Sequence, residues 1–137
     1  MEHEALTRTT IGAAMKVHRI VGPGFTEIVY VNALTLELRA RGLLVDREAR
    51  FQVLYEGSVV GDFRADMFVD RNVLVEVKAV RTVTPKDEAQ LVNYLTATVL
   101  DVGLLLNFGS DSLQVRRKTR TYRPFATVPE ASDEVNR

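Results

Sequence analysis

Cysteine is missing from all 137 residues. That excludes a disulfide framework and any thiolate metal site, and it suits a reducing cytoplasm, the expected location. Long apolar runs are missing as well. No stretch approaches the roughly 20 residues that span a bilayer. The opening MEHEALTRTT lacks the basic-then-apolar pattern of a secretory signal, so none is expected. An excess charge of either sign is also lacking, with 18 basic and 18 acidic residues. Phosphate contacts supply most nucleic-acid affinity, so this balance argues against tight autonomous binding. There is no internal repeat and no linker. We therefore expect one domain over residues 1–123 and a polar, frayed tail over 124–137.

What is present is the composition of a globular chain, 46% apolar and 26% charged, long enough to bury a core. Residues 4–21 place Leu6, Ala13, Ala14, Val17 and Val21 near one helical face, and Gly22-Pro23-Gly24 must stop that helix. A second helix is expected from Thr26 to Arg41, with Val31, Leu34 and Leu38 as its stripe and Gly42 at its end. The period then changes to two. Strands are expected at 50–56, 59–69 and 73–80, the last two joined by the tight turn Asp70-Arg71-Asn72. Thr84-Pro85-Lys86-Asp87 is a helix start with a capping box and a proline at the first position, and that helix should run to about Val99. The apolar run 101–108 suits a strand covered on both faces, and 113–118 is a last strand.

The order α-α-β-β-β-α-β-β predicts an α/β fold with a central mixed sheet flanked by helices. The strand–helix–strand unit at 73–107 should be a right-handed crossover between parallel strands, whereas the hairpin before it is antiparallel. Arg116, Arg117, Lys118, Arg120 and Arg123 form a basic cluster near the end. Such a run suits a solvated edge strand, where cations discourage aggregation, and it also suits contact with phosphate.

The hairpin carries the most informative residues. A three-residue turn sets Val69 opposite Val73 and Asp66 opposite Glu76, with Cβ atoms roughly 4.5–5.5 Å apart. Two carboxylates at that spacing can share one ion, because magnesium–oxygen bonds are about 2.0–2.1 Å long. Lys78 points to the same face as Glu76. Phe63, Ala65, Met67, Val73, Val75 and Val77 are expected on the opposite, core face. A half-exposed antiparallel sheet often carries such charges harmlessly. A strand followed by a helical crossover is usually central, however, and burying charge there costs several kcal/mol per ion unless it is paired or metal-bound. Other helices carry matching polar residues. Glu27 lies in the first turn of the second helix with Tyr30 beside it, and Gln90 and Tyr94 share one face of the third. Each has a bland reading as a helix-dipole residue or a local surface pair.

Asp66 followed by Glu76-Val77-Lys78 resembles the D…(D/E)-x-K signature of the PD-(D/E)XK nuclease superfamily. Gly24-Phe25-Thr26-Glu27-Ile28-Val29-Tyr30 matches G-x-x-E-x-x-Y, the motif of the GxxExxY family, a small bacterial branch of that superfamily. Gln90-Leu91-Val92-Asn93-Tyr94 is similar to the Q-x-x-x-Y motif of RecB-like exonucleases. The resemblance runs from about His18 to Lys118, and Ala65 stands at the proline position of the superfamily's name.

The resemblance implies a restriction-endonuclease-like α-β-β-β-α-β core, here with an extra N-terminal helix and a C-terminal strand. It implies Mg²⁺ or Mn²⁺ held by Asp66, Glu76 and the carbonyl of Val77, with Glu27, Lys78 and Gln90 completing the catalytic group. Tyr30, Tyr94, Arg116, Arg117 and Lys118 would contact the substrate, a nucleic acid and DNA before RNA. His18 and Lys16 sit on the first helix, where a surface or capping role is expected for His18 before a role in the pocket. A homodimer meeting both strands of a duplex is compatible with this reading. Two alternatives belong beside it: a catalytically silent nucleic-acid- or protein-binding module on the same fold, and a phosphohydrolase acting on nucleotides.

Overall fold

A computed structural model describes residues 3–120. The tail beginning at Pro124, and Arg123 with it, lie outside the described residues. Three helices and five strands follow one another as α1 (Glu4–Val21), α2 (Glu27–Ala40), β1 (Val45–Tyr55), β2 (Ser58–Val69), β3 (Val73–Lys78), α3 (Pro85–Thr98), β4 (Val102–Asn107) and β5 (Gln114–Thr119). The expected order is therefore the observed one.

Local chemistry sets the ends of these elements. α1 stops at Gly22, whose φ of 74° is easily reached without a side chain and whose N–H caps the His18 carbonyl. α3 starts on the expected capping box, in which the Thr84 hydroxyl accepts from Asp87 N–H and the Asp87 carboxylate accepts from Thr84 N–H. The β2–β3 turn occupies 70–72, with Asp70 and Arg71 in the left-handed region. The Asp70 carboxylate accepts from Leu44 N–H and fastens this turn to the start of β1.

The sheet runs β1-β2-β3-β4-β5, so β3 is its middle strand. β3 and β4 are parallel, joined through α3, and the other pairs are antiparallel. α1 and α2 cover one face. There Ala13, Ala14, Val17, Tyr30, Leu34 and Leu38 close on Met67, Val69, Val75, Val77, Leu104 and Leu106. α3 covers the other face, setting Leu91 and Leu95 against Leu74 and Leu105. β4 is buried along its whole length, as its apolar sequence predicts. Burial of this kind contributes about 25 cal/mol per Å² of apolar surface and supplies most of the stability.

Two expectations need correction. β1 begins at Val45 rather than at residue 50. Asp46, Arg47 and Glu48 hide it, because an edge strand tolerates charges and Glu48 breaks the alternation with a φ of 49°. Phe63 and Ala65 do not share the core face of Met67. Ala65 packs with the α3 cluster and Phe63 is 40% exposed beside it. The β1–β2 ladder pairs Arg47 with Met67 and Ala49 with Ala65, passing over Glu48 and Asp66. The outer half of the hairpin is turned at that point, so it leans towards α3.

Candidate functional site

The site lies where β2 leaves β3. Their ladder joins Val69 to Val73, Phe68 to Leu74 and Met67 to Val75, and the next opposed pair is Asp66 and Glu76. Here side chains replace the backbone ladder. Asp66 N–H donates to Glu76 Oε2 at 3.0 Å, and Val77 N–H donates to Asp66 Oδ2 at 2.7 Å. Each carboxylate thus holds the other's strand by one oxygen and keeps lone pairs for a ligand, most freely on Asp66 Oδ1 and Glu76 Oε1.

Electrostatics make this pair costly. Burial pushes the Glu76 carboxyl up to about 8, and the charges of Asp66 and, more weakly, Glu27 add to the effect. The bond from Asp66 N–H and the Lys78 ammonium oppose it. The Asp66 carboxyl is also raised by burial, against the Val77 N–H and the positive charges of Lys78 and Arg47. Lys78 has its Nζ 3.8 Å from Asp87 Oδ1, and its carbonyl accepts from Phe108 N–H. Between Glu76 and Lys78, the Val77 side chain is only 1% exposed in the α1/α2 core. In a strand the N–H and C=O of one residue point to the same side, so the Val77 carbonyl faces the β2 side as its N–H does.

These donors fit a divalent magnesium-like ion. Two carboxylates and a peptide carbonyl are hard oxygen ligands, and burial raises both carboxyls, so a cation between them would favour their charged forms. Among the described residues no group of three or more His, Cys, Asp or Glu side chains forms a cage. The protein's share would be an incomplete set, which is usual for magnesium, since this ion keeps several waters and takes substrate oxygens.

The sequence pattern of the PD-(D/E)XK nuclease superfamily matches residues 4–119. The chain belongs to this superfamily. Its fold is similar to that in the crystal structure of SSO0001, with a TM-score of 0.56 and 17% identity over 72% of this chain and 52% of that one. The chain thus spans about half the length of SSO0001. An alkaline exonuclease (LHK-Exo) from Laribacter hongkongensis is similar over 88% of this chain and 72% of that one, with 13% identity and a TM-score of 0.46. No curated protein matches.

The remaining candidate residues of this PD-(D/E)XK domain divide into groups. Glu27, exposed at the start of α2, is near enough for its charge to act on Glu76. Tyr30 is fully buried. Its ring stacks on Phe108 at 4.8 Å, while its hydroxyl donates to the Gly22 carbonyl and accepts from Phe25 N–H. It ties down the loop before Glu27, and its hydroxyl is not presented to a substrate. Gln90 donates to the Tyr94 hydroxyl at 2.9 Å, as their spacing predicts, and both line a groove beside α3. The basic cluster is split. Arg116 and Lys118 pair with Glu88 of α3, whose carboxyl they hold below its usual range, and Arg117 lies between them in the strand. β5 is an edge strand. His18 lies with Nε2 2.9 Å from the Ser110 carbonyl, and Lys16 pairs with Glu37.

Sequence reasoning missed three supports. Arg47 brings a positive charge to Asp66, and its Nε is buried without a hydrogen-bond partner. Asp87 was read as a cap alone and also meets Lys78. Asn107 is completely buried. Its amide donates to Val80 O and Gln114 Oε1 and accepts from Val80 and Gly109 N–H, fixing the chain just after Lys78. A polar residue closing the apolar run of β4 was the available signal.

Among the described residues no helix is long and apolar enough to cross a membrane.

Proposed function

We propose that this superfamily member is a metal-dependent nuclease that hydrolyses phosphodiester bonds in nucleic acid, with DNA the preferred substrate. The observation that carries the reading is the pair of reciprocal bonds that hold Asp66 and Glu76 at the break in the ladder, next to Lys78. Asp66, Glu76 and the Val77 carbonyl would hold Mg²⁺ or Mn²⁺. Such an ion polarises a phosphodiester and makes a bound water more acidic. The Lys78 ammonium orients the attacking water or faces the charge on the phosphoryl oxygens. The Asp87 carboxylate limits where that ammonium can swing. Glu27 supplies further negative charge, and Gln90 and Tyr94 face the substrate side by way of their groove. The segment from Gly24 to Tyr30 supports the narrower assignment to the GxxExxY branch.

The test is cleavage of labelled DNA with Mg²⁺ or Mn²⁺ by the wild type, Asp66→Ala and Lys78→Ala. Loss of cutting in both folded variants is expected, and full activity in both would reject the mechanism. A second reading, a catalytically silent binding module, draws on the pairing of Arg116 and Lys118 with Glu88, which takes cationic charge away from phosphate. Calorimetry separates the two. The nuclease should bind Mg²⁺ or Mn²⁺ in a way that Asp66→Ala/Glu76→Ala removes.

A further inference from the structure

Phe51, Phe63 and Tyr94 meet where the turned half of the β1–β2 hairpin leans over α3. The Phe51 and Phe63 rings stack 5.9 Å apart at 26°, and Tyr94 approaches Phe51 edge-on at 4.9 Å and Phe63 at 5.6 Å. In a closed core such a cluster would be covered. Here it lines a groove of about 720 Å³, and Phe63 is 40% exposed. Gly61 permits this arrangement, because a Cβ at that position would lie 2.5 Å from Cε2 of the Phe63 ring. The ring therefore occupies space that only a glycine leaves open.

The α3 rim of the groove carries Lys86, Gln90 and Asn93. Lys86 and Asn93 are exposed, and their side chains have no ion pair or hydrogen bond among the described residues. At one end Asp87 lines the groove and also meets Lys78 Nζ at 3.8 Å, so one ion pair links the groove to the lysine beside the acidic pair. An aromatic floor, amide groups at the rim and one unpaired ammonium match the three parts of an unpaired nucleotide: the face of its base, the edge of its base and its phosphate. A duplex hides its base faces, whereas an unpaired base offers its face to an aromatic ring.

We infer that the groove between α3 and the β1–β2 hairpin seats an unpaired base, so that the substrate is single-stranded nucleic acid or a single-stranded end. The inference rests on the nuclease reading for the fate of the strand, but not for its binding. Phe63 is the stacking surface. Gly61 and Tyr94 hold it in place.

The experiment uses the full chain and an oligothymidylate carrying one 2-aminopurine, whose fluorescence falls when it stacks on an aromatic ring. Ca²⁺ replaces Mg²⁺ during binding. Quenching is expected with the wild type and with Phe63→Tyr. Phe63→Leu, which keeps the apolar bulk, should lose the quenching and bind about tenfold more weakly. Gly61→Val should do the same with Phe63 still present, because the ring is displaced. Equal quenching by the wild type and Phe63→Leu overturns the inference, as does a blunt duplex binding as tightly as the single strand. A wild-type dimer that Phe63→Lys splits, with no quenching in either form, also overturns it and makes the groove a contact between copies.

Cutting in Mg²⁺ separates this inference from the nuclease reading. Quenching that depends on Phe63, with no cutting that depends on Asp66, rejects the nuclease and keeps the seat. Cutting that depends on Asp66 but is unchanged in Phe63→Leu rejects the seat and keeps the nuclease.

Discussion

The two halves of β2 do different work. From Met67 to Val69 the strand pairs with β3 through its backbone and seals the α1/α2 core. From Ser58 to Ala65 it pairs with β1, turns towards α3 and leaves Phe63 in the open. Asp66 stands at the border, and there carboxylates do what peptide groups do a residue later. One strand can therefore serve as core and as site wall if its ladder is interrupted once. The interruption is tolerable because each freed N–H still finds an acceptor.

The largest expected effect breaks the border itself. Asp66→Ala removes a proposed ligand and leaves Val77 N–H without its acceptor, and cleavage should fall by at least about a hundredfold with the fold retained by circular dichroism. Activity near wild type would mean that the border is only structural. The core half should respond in stability instead. Met67→Ala empties a fully buried position and should cost about 2–5 kcal/mol in denaturant unfolding.

Above about pH 4.5 acidity should act chiefly at the border. The Glu76 carboxyl has an ordinary value of 4.5 and is pushed up to about 8 in the fold. Between those values the folded chain holds a proton that the unfolded chain has lost. Stability of the metal-free protein must then fall as pH rises from about 4.5 to about 8, by a few kcal/mol, and level off above that. The raised Asp66 carboxyl acts in the same direction. Melting curves at about pH 5 and about pH 8.5 should show the loss, Mg²⁺ should restore stability at the higher pH, and Glu76→Gln should abolish most of the difference. A flat profile in the wild type would refute this account of the pair.

Smaller effects sharpen the contrast. Asn107→Ala strips the acceptor from the part-buried Val80 and Gly109 N–H groups and should cost about 1–3 kcal/mol, seen as a lower denaturation midpoint. Phe63→Ala in the outer half should cost less than about 1 kcal/mol, because the ring is already partly in water.

Much of this was legible beforehand. Apolar spacing and glycine stops revealed α1 and α2, the Thr84–Asp87 box revealed α3, and a three-residue turn sufficed to oppose Asp66 and Glu76. Those features depend on neighbours in sequence. Legibility failed where distant parts decide. Beside the left-handed Glu48 of the paired strand, Phe63 and Ala65 face the other layer, and alternation alone cannot reveal it. Tyr30 matched a motif position, but Phe108 and the Gly22–Phe25 loop determine that its hydroxyl points inward. Arg116 and Lys118 formed part of a basic run, yet Glu88, from another element, takes both.

Val77 belongs to two systems at once. Its side chain is a brick in the helix-covered core, and its peptide N–H fixes Asp66. A residue so shared has little room to drift in evolution. A change of volume would be felt by α1 and α2, and a change of strand twist would be felt by the carboxylates. Variants that soften that helical layer should accordingly lose the alignment of Asp66 and Glu76 at temperatures where most of the helix content survives, so inactivation would precede melting.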